Sequence, residues 1–254
     1  MRQETNMPDH LGWTIEEQSY LTDHYRFQFH IPINVPVYPA GDLLFREPLL
    51  NFLNKAGRKI GSNELTVTAS LFFKRYAFCG LTSSLYAMTM LNKAFDMRLN
   101  NIVIIDQEAE DMWLPSFTLK NLHGTSLTGN RKQWRSAIVK TLFADNMTIM
   151  LENLAKETRA PKAMLWENAR IYIVWLYETW LKENHSESIQ KRIQDDYQFI
   201  IHDAEPYHFG TMKKNPFFRF EHDHQERQRQ TCCLYYRTEN GTCCTTCPRK
   251  NLRH

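Results

Sequence analysis

Hydrophobic and polar positions divide the chain into a proline-punctuated start, a short β-rich middle, a long helical run and a final stretch without any period. In HIPINVPVYP, residues 30–39, the apolar positions are broken by Pro32, Pro36 and Pro39. Proline fixes φ and donates no amide hydrogen bond, so this stretch predicts extended edge or polyproline-like backbone, and residues 1–46 read as irregular. A short helix is expected after Arg46, with Pro48 in its first turn and Gly57 near its end. Glu64 to Met97 reads as one long helical stretch, interrupted or kinked near Gly80. LNNIVIIDQ, residues 99–107, predicts a strand, with Trp113–Leu119 as its antiparallel partner across an acidic turn.

From Arg131 the period becomes helical, with Trp134, Ile138 and Leu142 on one face, and it ends before Pro161. Pro161 opens a second helix whose Trp166, Ile173, Leu176 and Trp180 form a buried face. Ser186 and Glu187 start a third, running to about His202. After Pro206 the period disappears. No repeat, low-complexity tract or flexible linker separates these pieces. The expected fold is therefore a mainly helical α+β unit. It comprises an N-terminal α+β part (1–125) with a small antiparallel sheet element, a helical body (126–210) and an irregular lobe (211–254) appended to it.

The cysteines change this picture from fold to chemistry. Five of the six lie between positions 232 and 247, and only Cys79 lies elsewhere. An odd, local group cannot pair completely within itself, and no basic-then-apolar secretory leader is visible at the start. Metal is then the expected partner of the thiols. Within TCCLYYRTENGTCCTTCPRK, Cys244 and Cys247 form a CxxC step. Cys232 and Cys233 are adjacent, and both can ligate only where the backbone is irregular, because successive side chains diverge in a regular strand. Asn240-Gly241 supplies a tight turn that returns one end to the other. Spacing alone leaves open an iron–sulfur cluster, a four-cysteine zinc site and disulfides, although zinc sites usually use two CxxC-like steps. His202, His208, His222 and His224 precede the cysteines and add a mixed His/Cys cluster to the alternatives.

The motif CC-x10-C-x2-C, followed by proline and preceded by a basic run, resembles the C-terminal signature of the FhuF-like ferric siderophore reductases. TASLFFKRYAF (68–78) and LWEN (165–168) are similar to that family as well, so the resemblance covers the chain from about residue 40. It implies a [2Fe–2S] cluster on Cys232, Cys233, Cys244 and Cys247. Cys243 departs from the pattern as a fifth thiol that makes CC-x9-C available too; the CxxC step to Cys247 favours Cys244.

Charge and aromatic content then locate candidate ligand contacts. The chain is +3 overall, yet residues 211–254 hold nine Lys/Arg against four Asp/Glu. Such an excess beside anionic thiolates favours acidic redox partners or anionic ligands. Candidate substrate-binding residues are the helix-borne pair Lys74 and Arg75, then Trp166 beside Asn168 on an apolar helix, and Arg219 and Arg237 near the cysteines. Neither GxGxxG nor a P-loop is present, so neither dinucleotide nor nucleotide binding is indicated, and nothing points to nucleic acid. The electron source is then expected to be another protein, such as a ferredoxin, flavodoxin or flavin reductase. No apolar stretch approaches the roughly 20 residues of a spanning helix. A cytoplasmic protein is expected, peripheral to the inner face of the membrane if it meets a siderophore importer transiently. The resemblance implies reduction of Fe(III) in a hydroxamate- or citrate-type siderophore. An iron–sulfur carrier or sensor, and a zinc-stabilised binding module, are the rival functions.

Overall fold

The computed structural model describes residues 12–109, 112–210, 212–220 and 228–250. Its first regular element corrects the reading of residues 1–46 as irregular. Helix α1 (Ile15–Tyr25) opens with a capping box in which Thr14 Oγ1 accepts from the Glu17 amide and the Glu17 carboxylate accepts from the Thr14 amide. Its sequence, IEEQSYLTDHY, buries only Gln18, Leu21 and Tyr25, so the apolar stripe is too sparse to register as a period. The proline-rich stretch is extended, as expected: β1 (Val37–Pro39) lies at a sheet edge, where a missing amide costs no ladder bond.

Helix α2 (Arg46–Ile60) runs past Gly57 and stops at Gly61, whose φ of 75° suits glycine and closes the C-terminus. Helix α3 (Leu65–Leu91) is the central element, buried on nearly every side. It passes through Gly80 unbroken, which corrects the expected kink. The glycine answers to packing, since a Cβ there would stand 2.5 Å from Met147 Cε and 3.3 Å from Phe117 Cε2.

The strands that follow are short. β2 (Lys93–Ala94) precedes β3 (Ile102–Ile105), β4 (Glu108–Ala109), β5 (Met112–Trp113), β6 (Ser116–Leu119) and β7 (Thr125–Ser126). The main sheet has the order β1-β3-β6, all antiparallel, with Ile102 opposite Leu119 and Val37 opposite Ile105. β2 pairs with β7 and β4 with β5 as separate two-stranded pieces. The predicted strand and its partner are thus β3 and β6.

Helix α4 (Arg131–Leu142) is capped by Asn130 and continues through a π-helical turn, Phe143–Met147, into α5 (Thr148–Thr158). That turn brings Asn146 inward to accept a 2.6 Å hydrogen bond from the Tyr76 hydroxyl. α6 (Lys162–Lys182) packs along α3, and α7 (Glu187–Gln198) runs into a second π turn, Phe199–Asp203. The longest regular element of residues 228–250 is a 3-10 turn, Tyr235–Arg237. They lie over the starts of α3 and α6, where Cys233 packs against Val67 and Leu71.

Candidate metal centre

The cysteine lobe has little apolar surface to bury, so polar contacts with α3 and α6 fix its position. The Glu167 carboxylate on α6 accepts from the Gln230 amide at 2.7 Å and the Thr231 amide at 2.8 Å, and also from the Thr231 hydroxyl. Asn168 Oδ1 accepts from Arg229 Nη2 at 2.6 Å, while Asn168 Nδ2 donates to the carbonyl and hydroxyl oxygens of Ser70 on α3. The Ser70 hydroxyl then donates to the Cys233 carbonyl at 2.9 Å. Arg229 Nε also stands 3.5 Å from Glu167, and the Arg229 amide donates to the Thr246 carbonyl at 2.9 Å. Both cysteine-bearing ends therefore share one buried anchor. The conformation after the CC pair is irregular, as dual ligation requires: Leu234 adopts φ 66°, and its amide donates to Cys232 Sγ at 3.4 Å.

Asn240-Gly241 turns the chain back as expected. The Gly241 amide donates to the Thr238 carbonyl at 3.0 Å, and a Cβ at Gly241 would lie 1.8 Å from the Tyr235 carbonyl oxygen, so only glycine fits. The turn brings Cys232 Sγ to 3.6 Å from Cys247 Sγ. Two sulfurs bound to one tetrahedral metal at about 2.3 Å each stand roughly 3.8 Å apart, so this pair has the spacing of co-ligands. Cys243 acts on Cys247 electrostatically, as one of the neighbours that lower its pKa. Cys244 Sγ lies 3.8 Å from the Thr246 hydroxyl, and Cys233 is buried against α3. None of the five thiols of the lobe is in a disulfide. Among the described residues no three His, Cys, Asp or Glu side chains converge closely enough to hold a metal. The donor chemistry and the one close pair fit a thiolate-ligated cluster.

The close pair is electrostatically unequal. Burial pushes the Cys232 thiol up to about 11. Cys247 is also raised by burial, but the Arg249 amide, the Cys232 and Cys243 thiols and the Arg229 guanidinium together bring it below the ordinary thiol value. Cys79 is remote from this set, donates to the Pro115 carbonyl and is pushed up to about 12 by burial.

The other candidates separate. Arg75 is buried and donates to the Trp113 and Leu71 carbonyls. Burial pulls its guanidinium below the ordinary arginine range, opposed by Tyr172, Tyr235 and the Cys233 thiol. Lys74 beside it is half-buried. Arg237 pairs with Glu64 at the surface. Trp166 and Arg219, by contrast, line one cavity of about 730 Å³. His208 is occupied by Ser136 and the Glu205 carbonyl, His202 lies in the second π turn, and His222 and His224 lie outside the described residues. Ser70, Glu167 and Arg229 carry the anchoring and were missed by motif reading. The signal available was a buried acid beside Asn168 in the LWEN segment.

Two family models match this chain. Residues 70–229 match the model described as "Ferric iron reductase FhuF-like transporter", and residues 229–249 match the "FhuF 2Fe-2S C-terminal domain". The second match spans the whole cysteine lobe from Arg229, and the cofactor of that lobe is a [2Fe–2S] cluster. No curated protein matches the chain. Among the described residues no helix is long and apolar enough to cross a membrane.

Proposed function

The chain belongs to the FhuF-like ferric iron reductase family, and from that premise we propose that it reduces the Fe(III) of a hydroxamate- or citrate-type siderophore by one electron and so frees Fe(II). The observation that carries the reading is the Cys232–Cys247 pair, 3.6 Å apart in a lobe anchored on α3 and α6. Cys232, Cys233, Cys244 and Cys247 are assigned as the residues that hold the cluster. When bound, that group supplies single electrons at a potential set by its ligands, hydrogen bonds and exposure.

The remaining work falls to the chain. Hard oxygen donors suit the harder, more highly charged Fe(III), so reduction weakens the chelate without cleaving it, and no nucleophile or general acid is needed. Glu167, Asn168 and Ser70 hold the lobe in place. Arg75 near Cys233 and Arg229 near Cys247 set positive charge against the anionic sulfurs, which favours the reduced, more negative state. With no nicotinamide or flavin motif in the chain, electrons come from a donor protein such as a ferredoxin, flavodoxin or flavin reductase. Transient contact with an importer would place the protein at the inner face of the membrane.

The test is anaerobic. The reduced protein is mixed with a panel of ferric chelates, and the visible charge-transfer bands and captured Fe(II) are followed. One Fe(II) per reoxidised cluster is expected with at least one siderophore, and no oxidation of NADPH by the protein alone. A reduced cluster that no ferric siderophore reoxidises overturns the reading.

A further inference from the structure

Between the start of α6 and residues 212–220 lies the cavity of about 730 Å³, within the size range of small-molecule sites. Its walls include Lys162, Trp166, Lys213, Lys214, Phe218 and Arg219. We propose that this cavity binds the ferric chelate beside the cluster and selects anionic, carboxylate-bearing Fe(III) chelates. The proposal rests on the reductase reading above and adds to it a site and a substrate class.

Charge is the first argument. Lys213, Lys214 and Arg219 are exposed and have no ion pair among the described residues, whereas Lys162 is paired with Glu152, the acidic residue of the lining. Many other cations of this protein are engaged: Lys93 with Glu17, Arg98 with Asp96, and Arg131 and Arg135 with Asp196. Three exposed cations around a concavity focus a positive potential into it and raise the local concentration of anions. Lys162 and Ala163, in the first turn of the 21-residue helix α6, also line the cavity, and the positive end of the helix dipole adds to the field.

Shape and position complete the case. Trp166, Pro216 and Phe218 give the cavity an apolar wall for the carbon skeleton of a chelator. The Arg219 carbonyl accepts a 2.7 Å hydrogen bond from Gln230 Nε2, and the Gln230 amide is bonded to Glu167, the neighbour of Trp166. Cys232 follows two residues later, so its Cα lies within about 7 Å of that of Gln230. The cavity wall and the cysteine segment are thus joined by hydrogen bonds through Gln230.

The probe is Ga(III)–citrate, a redox-inert stand-in for an anionic ferric chelate, so binding is read without electron transfer. Titration into the holoprotein is followed calorimetrically for the wild type and for K213E, K214E and R219E, singly and combined. All three positions are exposed, so the visible spectrum of the cluster is expected to stay unchanged. The combined variant should lose affinity by about tenfold or more, and wild-type affinity should fall as salt rises. Equal affinity in wild type and combined variant, absence of binding to the wild type, or equally tight binding of metal-free citrate overturns the site. The reductase reading is judged separately, by reoxidation of the wild-type cluster with ferric siderophores. Turnover there, with a failed gallium titration, removes the cavity and leaves the reaction.

Discussion

Glu167 and Asp196 are both buried carboxylates with several donors, yet they hold different kinds of neighbour. Asp196 on α7 receives Arg131 at 2.7 Å through both terminal nitrogens, Arg135 at 3.0 Å and the Thr89 hydroxyl at 2.9 Å. Its partners are side chains of α3 and α4, helices already joined in the main hydrophobic core to which Leu85, Met88, Ile138 and Leu142 belong. Glu167 instead receives backbone amides of a segment with almost no apolar core, where Cys233, Val67 and Leu71 form a cluster of their own. In the body, charge is added to a structure that hydrophobic burial already determines. In the lobe, hydrogen bonds and thiolate ligation replace burial.

Removing ligands is the strongest way to break that contrast. Serine at Cys232, Cys233 or Cys247 should abolish the visible bands while helical circular dichroism persists, and Cys79→Ser should leave both unchanged. The same experiment settles the register at the doubled thiol. Cys244→Ser is expected to lose the cluster and Cys243→Ser to keep it; the reverse result would assign the ligand to Cys243, which also lowers the Cys247 pKa.

Glu167→Ala comes next. It leaves two amides and a hydroxyl without their acceptor, at a cost of about 3–6 kcal/mol. That cost should appear as lost iron per chain, with the thermal transition of the body nearly unmoved. Asp196→Ala should do the opposite. Breaking the buried charge set costs about 3–5 kcal/mol and lowers Tm by roughly 10 °C, while iron per folded chain holds. If both variants lose iron and Tm in proportion, the two regions unfold as one and the contrast fails.

How much of this the sequence discloses follows the same division. The helices from Arg131 onward are legible because Trp134, Ile138, Leu142, Ile173, Leu176 and Trp180 repeat with the helical period and prolines mark their ends. Helix α1 is not, because three buried positions in eleven leave only Thr14–Glu17 as a signal. At Gly80 composition misleads, since the residue is small for the sake of Met147 and Phe117. The cysteine motif is legible as spacing, without any period. Its anchor is not, because Ser70, Glu167 and Arg229 lie far apart in the chain and meet only when α3 packs on α6. The cavity stays hidden for the same reason, having walls on either side of more than forty intervening residues.

The smallest expected effect belongs to His208, which is buried against α4 and bonded to Ser136 and Glu205, with Lys140 nearby. Burial holds its imidazole below the ordinary 6.5. The unfolded chain therefore binds a proton more readily there, so its contribution is complete above about pH 6.5 and declines as pH falls through the depressed value. His208→Gln should flatten the decline in Tm below pH 6.5 and leave iron content unchanged. A slope identical to that of the wild type would refute this assignment.

Ser70, Glu167 and Asn168 all precede the cysteines they anchor. During synthesis the N-terminal part of a chain folds first, so the docking surface on α3 and α6 can exist before Cys232 emerges. The order of the chain thus lets the body prepare a berth before the thiols arrive, so that a cluster can be assembled against a finished wall. A cell starved of sulfide or iron would accumulate a folded, clusterless form ready to be loaded, in place of a misfolded one that must be destroyed.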